Sequence, residues 1–287
     1  MQKKNPVYAR ILDSKYLPQF PENIARIFTL LGQPNIDIDY LSAIIEEDVV
    51  LKNLLLNNLN KNGYPIKKQI ATVKDAILYW GVVSARNMII FFIAHAFYPK
   101  ERAKETRLFT LFQYWVHVLA SAIAAEEIAE MLGYEDHYQL FSYGLLHDIG
   151  LLVIDACLME DETQVVEHIK NGLPHLASER LVFDGLTHCD IGAWLCKQEG
   201  FTEDIACVVK YHHTPWKATI YPEITKIIYI ANALGTDYVA ESLPVDVRTP
   251  INNKVLRDLG LNKNDLKKIY EKIPNVVKTY TAKPIGF

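Results

Sequence analysis

The sequence predicts an all-α fold. Three observations predict it. Apolar residues recur at three- and four-residue spacing along most of the chain. Capping and helix-ending residues fall between those runs. Alternating apolar and polar stretches of strand length are missing, as are repeats and low-complexity tracts.

From Pro21, residues Ile24, Ile27, Phe28 and Leu31 share one helical face, and Gly32 and Pro34 stop that helix. Tyr40, Leu41, Ile44 and Ile45 begin a second, with Asp37 or Asp39 placed to cap it. A third runs from about Asp48 through Leu51, Leu54, Leu55 and Leu59 and ends near Asn62-Gly63. Thr72 with Asp75 has the form of a capping box and opens a helix carrying Val73, Ala76, Ile77 and Trp80, closed by Gly81. Residues 82–98 form a long, mostly apolar helix. The charged break at 99–106 reads as a seam between two helical lobes, short enough that they pack together. Leu108, Leu111, Phe112, Trp115, Leu119, Ala122 and Ile123 mark a helix of about 25 residues ended by Gly133. Another helix leads into His147-Asp148-Ile149-Gly150. Further helices are expected at 161–171, 172–182, 188–198, 202–212 and 221–238. After a second break at 244–250, a final helix at 264–280 carries Leu266, Ile269, Ile273 and Val276 or Val277.

With 287 residues, the chain suits one large domain or two small ones. Half the residues are apolar, enough for a core. Thirty basic and 34 acidic side chains give a net charge of −4, which argues against bulk nucleic-acid or anionic-membrane binding. Residues 1–10 are too polar for a secretory signal. The longest apolar stretch, 88–98, is too short to span a bilayer and carries His95. Cys157, Cys189, Cys196 and Cys207 sit in apolar segments without CxxC spacing, as buried reduced thiols of a cytoplasmic protein would. Gly-rich phosphate loops and a nucleophile elbow are missing. Lys67-Lys68 is too small for a nucleic-acid patch, and Lys267, Lys268 and Lys272 read as a solvated face. Phe91, Phe92, Phe97 and Tyr98 read as core or an inter-lobe contact.

Chemistry concentrates in the second half. Adjacent helical residues point about 100° apart, so His147 and Asp148 share one ion best where a helix ends or bends, and Gly150 is placed for that. An imidazole and a carboxylate together suit Fe, Mn, Zn or Ni. An isolated His-Asp pair more often means a buried His beside a capping Asp, but four further histidines shift that weighting. His117 lies among Ala120, Ser121 and Ala124, small residues that admit a neighbouring helix. His188 follows Thr187, a helix cap. His212-His213 precedes Thr214-Pro215 and so sits at a helix end. His95, His137, His168 and His175 have no motif and default to core or surface.

In this order, His117, His147-Asp148, His188 and His212-His213 resemble the HD superfamily of metal-dependent phosphohydrolases, and more narrowly its HDOD branch. The motifs are Trp115-Val-His117, the stretch from Phe141 through His147-Asp148 to Gly150, Thr187-His-Cys-Asp-Ile-Gly192 and Tyr211-His-His-Thr-Pro215. The first half adds Leu17-Pro-Gln-Phe-Pro21, a segment at 48–60 with Val49 where the family often has Pro, and the helix at 72–81. The resemblance covers residues 10–240. It implies an N-terminal helical lobe (10–100) before an HD-like lobe (105–240), with 241–287 as a C-terminal helix and tail. It also implies mostly signalling and regulatory roles in bacteria, often without demonstrated catalysis. One divalent ion would take His117, His147 and Asp148. A second would take Asp148, His188, His212 and His213.

Two departures bear on activity. Asn232 stands where catalytic relatives carry a final Asp, so the site is short of one anionic ligand. The His-His-Glu and Gly-Tyr-Pro motifs of cyclic-di-GMP hydrolases are replaced by His212-His213-Thr214-Pro215. The expectation is therefore a non-catalytic regulatory module with a degenerate, mono- or dinuclear or empty metal site. Such a module acts through a protein partner or a small signalling ligand. The alternative is a phosphohydrolase acting on a nucleotide or phosphodiester.

Overall fold

A computed structural model describes residues 5–17, 20, 22–31, 33, 35–61, 69–96, 108–135 and 137–281. Among the described residues every regular element is a helix. The chain opens on a helix its pattern does not announce, α1 (Pro6–Asp13), which buries only Val7 and Ile11. Two buried positions are too few to show a period. Asn5 caps it by accepting from the Val7 N–H at 2.9 Å.

Helix α2 (Ile24–Leu31) buries the expected face. Pro21, Gly32 and Pro34, assigned to its ends, lie outside the described residues. Asp37, not Asp39, caps α3 (Ile38–Glu47), accepting from the Tyr40 N–H at 2.9 Å. Asp48 ends α3 and caps α4 (Val49–Lys61), accepting from the Leu51 N–H at 2.7 Å. The expected stop at Asn62-Gly63 and the pair Lys67-Lys68 lie outside the described residues. Thr72 caps α5 (Val73–Trp80): its hydroxyl accepts from the Asp75 N–H at 3.0 Å and donates to the Asp75 carboxylate at 2.7 Å. Gly81, at φ +77°, ends α5 before α6 (Val82–Ala96). Helices α3 to α6 pack on one another, and Phe92 of α6 is buried. The charged seam, Phe97, Tyr98 and the side chains of Phe91 and His95 lie outside the described residues.

The axis of the second half is α7 (Leu111–Met131), set by a closed capping box between Thr110 and Gln113 (2.7 and 3.1 Å). That cap explains its start, three residues after Leu108. It packs along α8 (His137–Leu146), which is followed by α9 (Ile149–Cys157), α10 (Met159–Lys170) and α11 (His175–Val182). The helix expected from 172 is corrected here. Gly172, at φ +91°, turns the chain after α10, and Pro174 precedes the first turn of α11. Then come α12 (His188–Gln198), α13 (Glu203–Tyr211), α14 (Pro222–Val239), a short α15 (Asn253–Asp258) and α16 (Lys263–Thr281). Helix α14 lies against α7, and α16 covers α7 with Ile269, Ile273 and Val277 buried.

Two glycines set how closely these helices meet. A Cβ at Gly235 of α14 would stand 2.1 Å from Ser121 Oγ on α7. A Cβ at Gly150 of α9 would stand 1.9 Å from the His188 carbonyl oxygen on α12. One described run, His137–Cys157, is long and apolar enough to cross a membrane, but its window is 94% buried inside the fold. It is the core pair α8 and α9, broken at His147-Asp148. The four cysteines are free thiols.

Candidate metal centre

The seven residues picked from the sequence come together from α7, the break between α8 and α9, the start of α12, the end of α13, and α14. His147 and Asp148 occupy the break between α8 and α9, which turns both side chains inward. His117 reaches them from α7: its Nε2 is 3.3 Å from His147 Nε2 and 2.9 Å from Asp148 Oδ2. His147 Nε2 lies 3.2 Å from the same oxygen. The other oxygen, Oδ1, faces His188 Nε2 at 3.3 Å and His212 Nε2 at 3.1 Å. Asp148 therefore stands between two imidazole pairs, one oxygen to each.

His188 opens α12, where Asp190 Oδ2 accepts from both the Thr187 N–H (3.1 Å) and hydroxyl (2.9 Å). His212 follows α13, and its ring lies 4.4 Å, centre to centre, from that of His213. Asn232, on α14, brings Oδ1 to 3.3 Å from His147 Nε2 while accepting from Thr236 Oγ1. His147, His188 and His212 are essentially inaccessible, and Asp148 is 4% exposed.

The donor set fits a cation. His147 Nδ1 contacts the Gly144 carbonyl at 2.6 Å and His212 Nδ1 the Val209 carbonyl at 2.8 Å. Carbonyls only accept, so both rings carry hydrogen on Nδ1. When neutral they turn bare Nε2 lone pairs inward. His188 Nδ1 is held by both oxygens of Glu179, at 2.9 and 2.8 Å. Inside the ring of nitrogens, Asp148 Oδ1 is buried with no hydrogen-bond partner, although two imidazole nitrogens stand at hydrogen-bond distance. Lone pairs facing one another around an unsatisfied carboxylate oxygen are what a shared divalent ion resolves.

The electrostatics agree. Burial alone would raise the Asp148 carboxyl, yet charge on His147 and bonds from the surrounding imidazoles hold it well below the carboxylate range. Burial opposes charge on His212, but Cys189 and Asp148 raise it to about 9. His188 is raised for similar reasons, burial being overcome by Cys189 and Glu179. Burial lowers His147, and burial with the charge of His212 and His188 lowers His213. Positive charge is thus favoured between α12 and α13 even without a metal.

Three participants escaped sequence reasoning. His175, assigned by default to core or surface, stacks on the His188 ring at 5.4 Å and places Nε2 3.1 Å from Glu179 Oε1. Glu179 also accepts from the His188 backbone N–H at 3.1 Å, so it fixes that imidazole twice over. The signal was the i,i+4 spacing of His175 and Glu179, which puts them on one helix face. Cys189, read only as a buried thiol, lies with Sγ 3.5 Å from His188 Nε2 and 4.0 Å from His212 Nε2.

A cavity of about 50 Å³ reaches the centre, lined by His117, Asp148, His188, His213 and Asn232 below and by apolar side chains such as Phe109 and Leu243 above. No Lys or Arg is among the described residues lining it.

The HDOD domain family matches residues 17–215. An uncharacterized protein of Treponema pallidum (strain Nichols) is 22% identical over 220 residues, 75% of this chain but 41% of that protein. The chain thus spans about two fifths of that relative's length. Among solved structures, an HDOD domain protein of unknown function from Geobacter sulfurreducens superposes with a TM-score of 0.68 at 21% identity, covering 97% of this chain and 95% of that one. A candidate signal-transduction protein from Marinobacter aquaeolei VT8 gives 0.74 at 17%, over 96% and 63%. A candidate phosphohydrolase from Shewanella amazonensis SB2B gives 0.64 at 21%, over 94% and 93%. At such identities the likeness is one of fold.

Proposed function

The chain belongs to the HDOD domain family, and on that premise we propose that it is a non-catalytic regulatory module built around a metal centre. The observation that carries this reading is the access to Asp148. Small-molecule sites have volumes of about 300–1,000 Å³, whereas this cavity measures about 50 Å³ and is apolar above the histidines. The described opening is smaller than a nucleotide needs, with Leu108 and Phe109 in its wall. Asn232 supports the same reading, because a neutral amide stands beside His147 where a carboxylate would add charge. In this reading the chain holds Fe, Mn, Zn or Ni through His117, His147, Asp148, His188, His212 and His213, with Asn232 at the margin. Output passes to a protein partner or a small signalling ligand.

A phosphohydrolase is the second reading, favoured by the placement of Asp148 between two imidazole pairs. A divalent ion there would supply a water of lowered pKa. His117, in the cavity wall 2.9 Å from Asp148 Oδ2, is then the residue placed to assist proton transfer where it does not itself bind the ion.

The test is elemental analysis of the purified chain, with His147→Ala and Asp148→Ala as controls, alongside turnover of a phosphodiester panel. The regulatory reading expects stoichiometric metal, lost in both variants, with no turnover above the metal blank. Turnover that disappears in Asp148→Ala overturns it. Folded, metal-free wild-type protein overturns both readings.

A further inference from the structure

We propose that Cys189 is a thiolate ligand of the ion held between α12 and α13, making that half of the centre a sulfur-containing, four-coordinate site. The proposal rests on the metal-centre reading above and puts Cys189 in place of His213 as the fourth donor for one of its ions.

The argument is geometric. Around a tetrahedral ion with nitrogen at ~2.0 Å and sulfur at ~2.3 Å, neighbouring nitrogens lie about 3.3 Å apart and a nitrogen and a sulfur about 3.5 Å apart. His188 Nε2 and His212 Nε2 are 3.3 Å apart. Cys189 Sγ is 3.5 Å from the first and 4.0 Å from the second. Asp148 Oδ1 completes the figure at 3.3 and 3.1 Å from the same two nitrogens. Four of the five measured edges between these donors therefore match one coordination polyhedron, and the fifth, Cys189 Sγ to His212 Nε2 at 4.0 Å, is about 0.5 Å longer than the ~3.5 Å of a bound pair. The thiol does not stand alone: Asp148 Oδ1, buried and without a hydrogen-bond partner, is aimed into the same volume.

His213 is the competing fourth donor. It lies within reach of the same group, its donor atom within 4.8 Å of the others. Yet its ring lies in the wall of the cavity, whereas Cys189 and His212 are absent from that wall. Cys189 closes the ion from the protein side and leaves His213 toward the opening.

Charge points the same way. Two divalent ions in a buried site demand anionic ligands, and among the picked residues Asp148 is the one carboxylate. Asn232 contributes none. A thiolate at Cys189 supplies the second anion, on the opposite ion from Asn232. Thiolate ligation also selects metals: softer Zn or Co is favoured there over Mn or Mg.

The experiment uses the full chain, stripped of metal and titrated with Co²⁺ without air, with bound cobalt counted after desalting. The proposal expects a near-ultraviolet thiolate-to-cobalt charge-transfer band that saturates with bound cobalt. The band is expected to vanish in Cys189→Ser and to persist in Cys196→Ala and Cys207→Ala. Zn²⁺ affinity is expected to fall at least about tenfold in Cys189→Ser, with Mn²⁺ affinity changing less. Cobalt bound stoichiometrically by wild type without the band overturns Cys189 ligation and leaves the metal centre standing. A band retained in Cys189→Ser overturns it too. Wild type that binds no cobalt overturns the metal centre itself. Should Cys189→Ser fail to fold, zinc-edge X-ray absorption of wild type decides: a sulfur shell near ~2.3 Å supports the proposal, and a shell of nitrogen and oxygen alone overturns it.

Discussion

Gly150→Ala tests whether helix packing and the metal centre are one problem. A Cβ at this position would stand 1.9 Å from the His188 carbonyl oxygen and 2.8 Å from the Gly192 backbone nitrogen. Carbon-to-oxygen contacts settle near about 3.3 Å, so α9 and α12 must separate by roughly 1.4 Å. Both obstacles are backbone, and no rotamer relieves them. Overpacking of this kind costs about 1–3 kcal/mol, which at about 2–4 °C per kcal/mol lowers Tm by roughly 2–12 °C. The same movement carries His188 away from Asp148 Oδ1, now 3.3 Å distant. Ligand geometry tolerates about 0.5 Å, so any ion held between α12 and α13 should be lost first. Thermal unfolding paired with metal counting reads both effects. Gly133→Ala is the contrast. Its Cβ meets nothing within 4 Å, but φ is +78°, so it costs about 1–2 kcal/mol through backbone strain and leaves metal content intact. Gly150→Ala with wild-type Tm and full metal content would refute the reasoning.

Asn232→Asp places a carboxylate 3.3 Å from His147 Nε2 and should raise metal affinity about tenfold, ~1.4 kcal/mol, in a chelator competition; unchanged affinity excludes position 232 from the centre. Glu179→Gln should lower affinity about 10–100-fold by freeing the His188 ring. Burial raises the Glu179 carboxyl, but His188 and His175 hold it below its unfolded value of about 4.3, so its contribution is present above that pH and lost as pH falls through the folded pKa. Acid unfolding of Glu179→Gln should therefore show a shallower pH dependence, and parallel curves would contradict the pairing. Because His212 is raised to about 9, metal must displace its proton at pH 7, so affinity should climb with pH up to about 9. A plateau from pH 7 would show that His212 carries no competing proton.

The helical class was legible because its signals are local, and the six ionisable residues that the structure brings together were picked from short motifs that resemble the HDOD pattern. His147-Asp148 sits at a helix break that a Gly marks, and His212-His213 at one that a Pro marks. Helices α1 and α15 were not legible because each buries two apolar residues, below what a period requires. The turn at Gly172 was read as the start of a helix because its positive φ is invisible in composition. Cys189 was missed for a different reason. Its burial follows from local apolarity, but one of its partners, His212, lies 23 residues away on another element.

That long-range placement links stability to the centre's charge. Asp148 ties the α7–α8 imidazoles to the α12–α13 imidazoles through its two oxygens. With no cation between them, the Nε2 atoms of neutral His188 and His212 oppose lone pairs at 3.3 Å, while His117 Nε2, 2.9 Å from Asp148 Oδ2, can carry a hydrogen and donate it. The fold has one internal remedy, which is to protonate His188 and His212 against Asp148, Glu179 and Cys189. His147 and His213 do not share that remedy, since burial and neighbouring charge lower both. Protons can therefore satisfy the α12–α13 side but leave His147 facing His117 and Asn232 as a neutral ring. A metal satisfies both sides. The arrangement thus favours a divalent ion whether or not it turns over a substrate, because His147, His188 and His212 are oriented by Gly144, Glu179 and Val209 and cannot turn away.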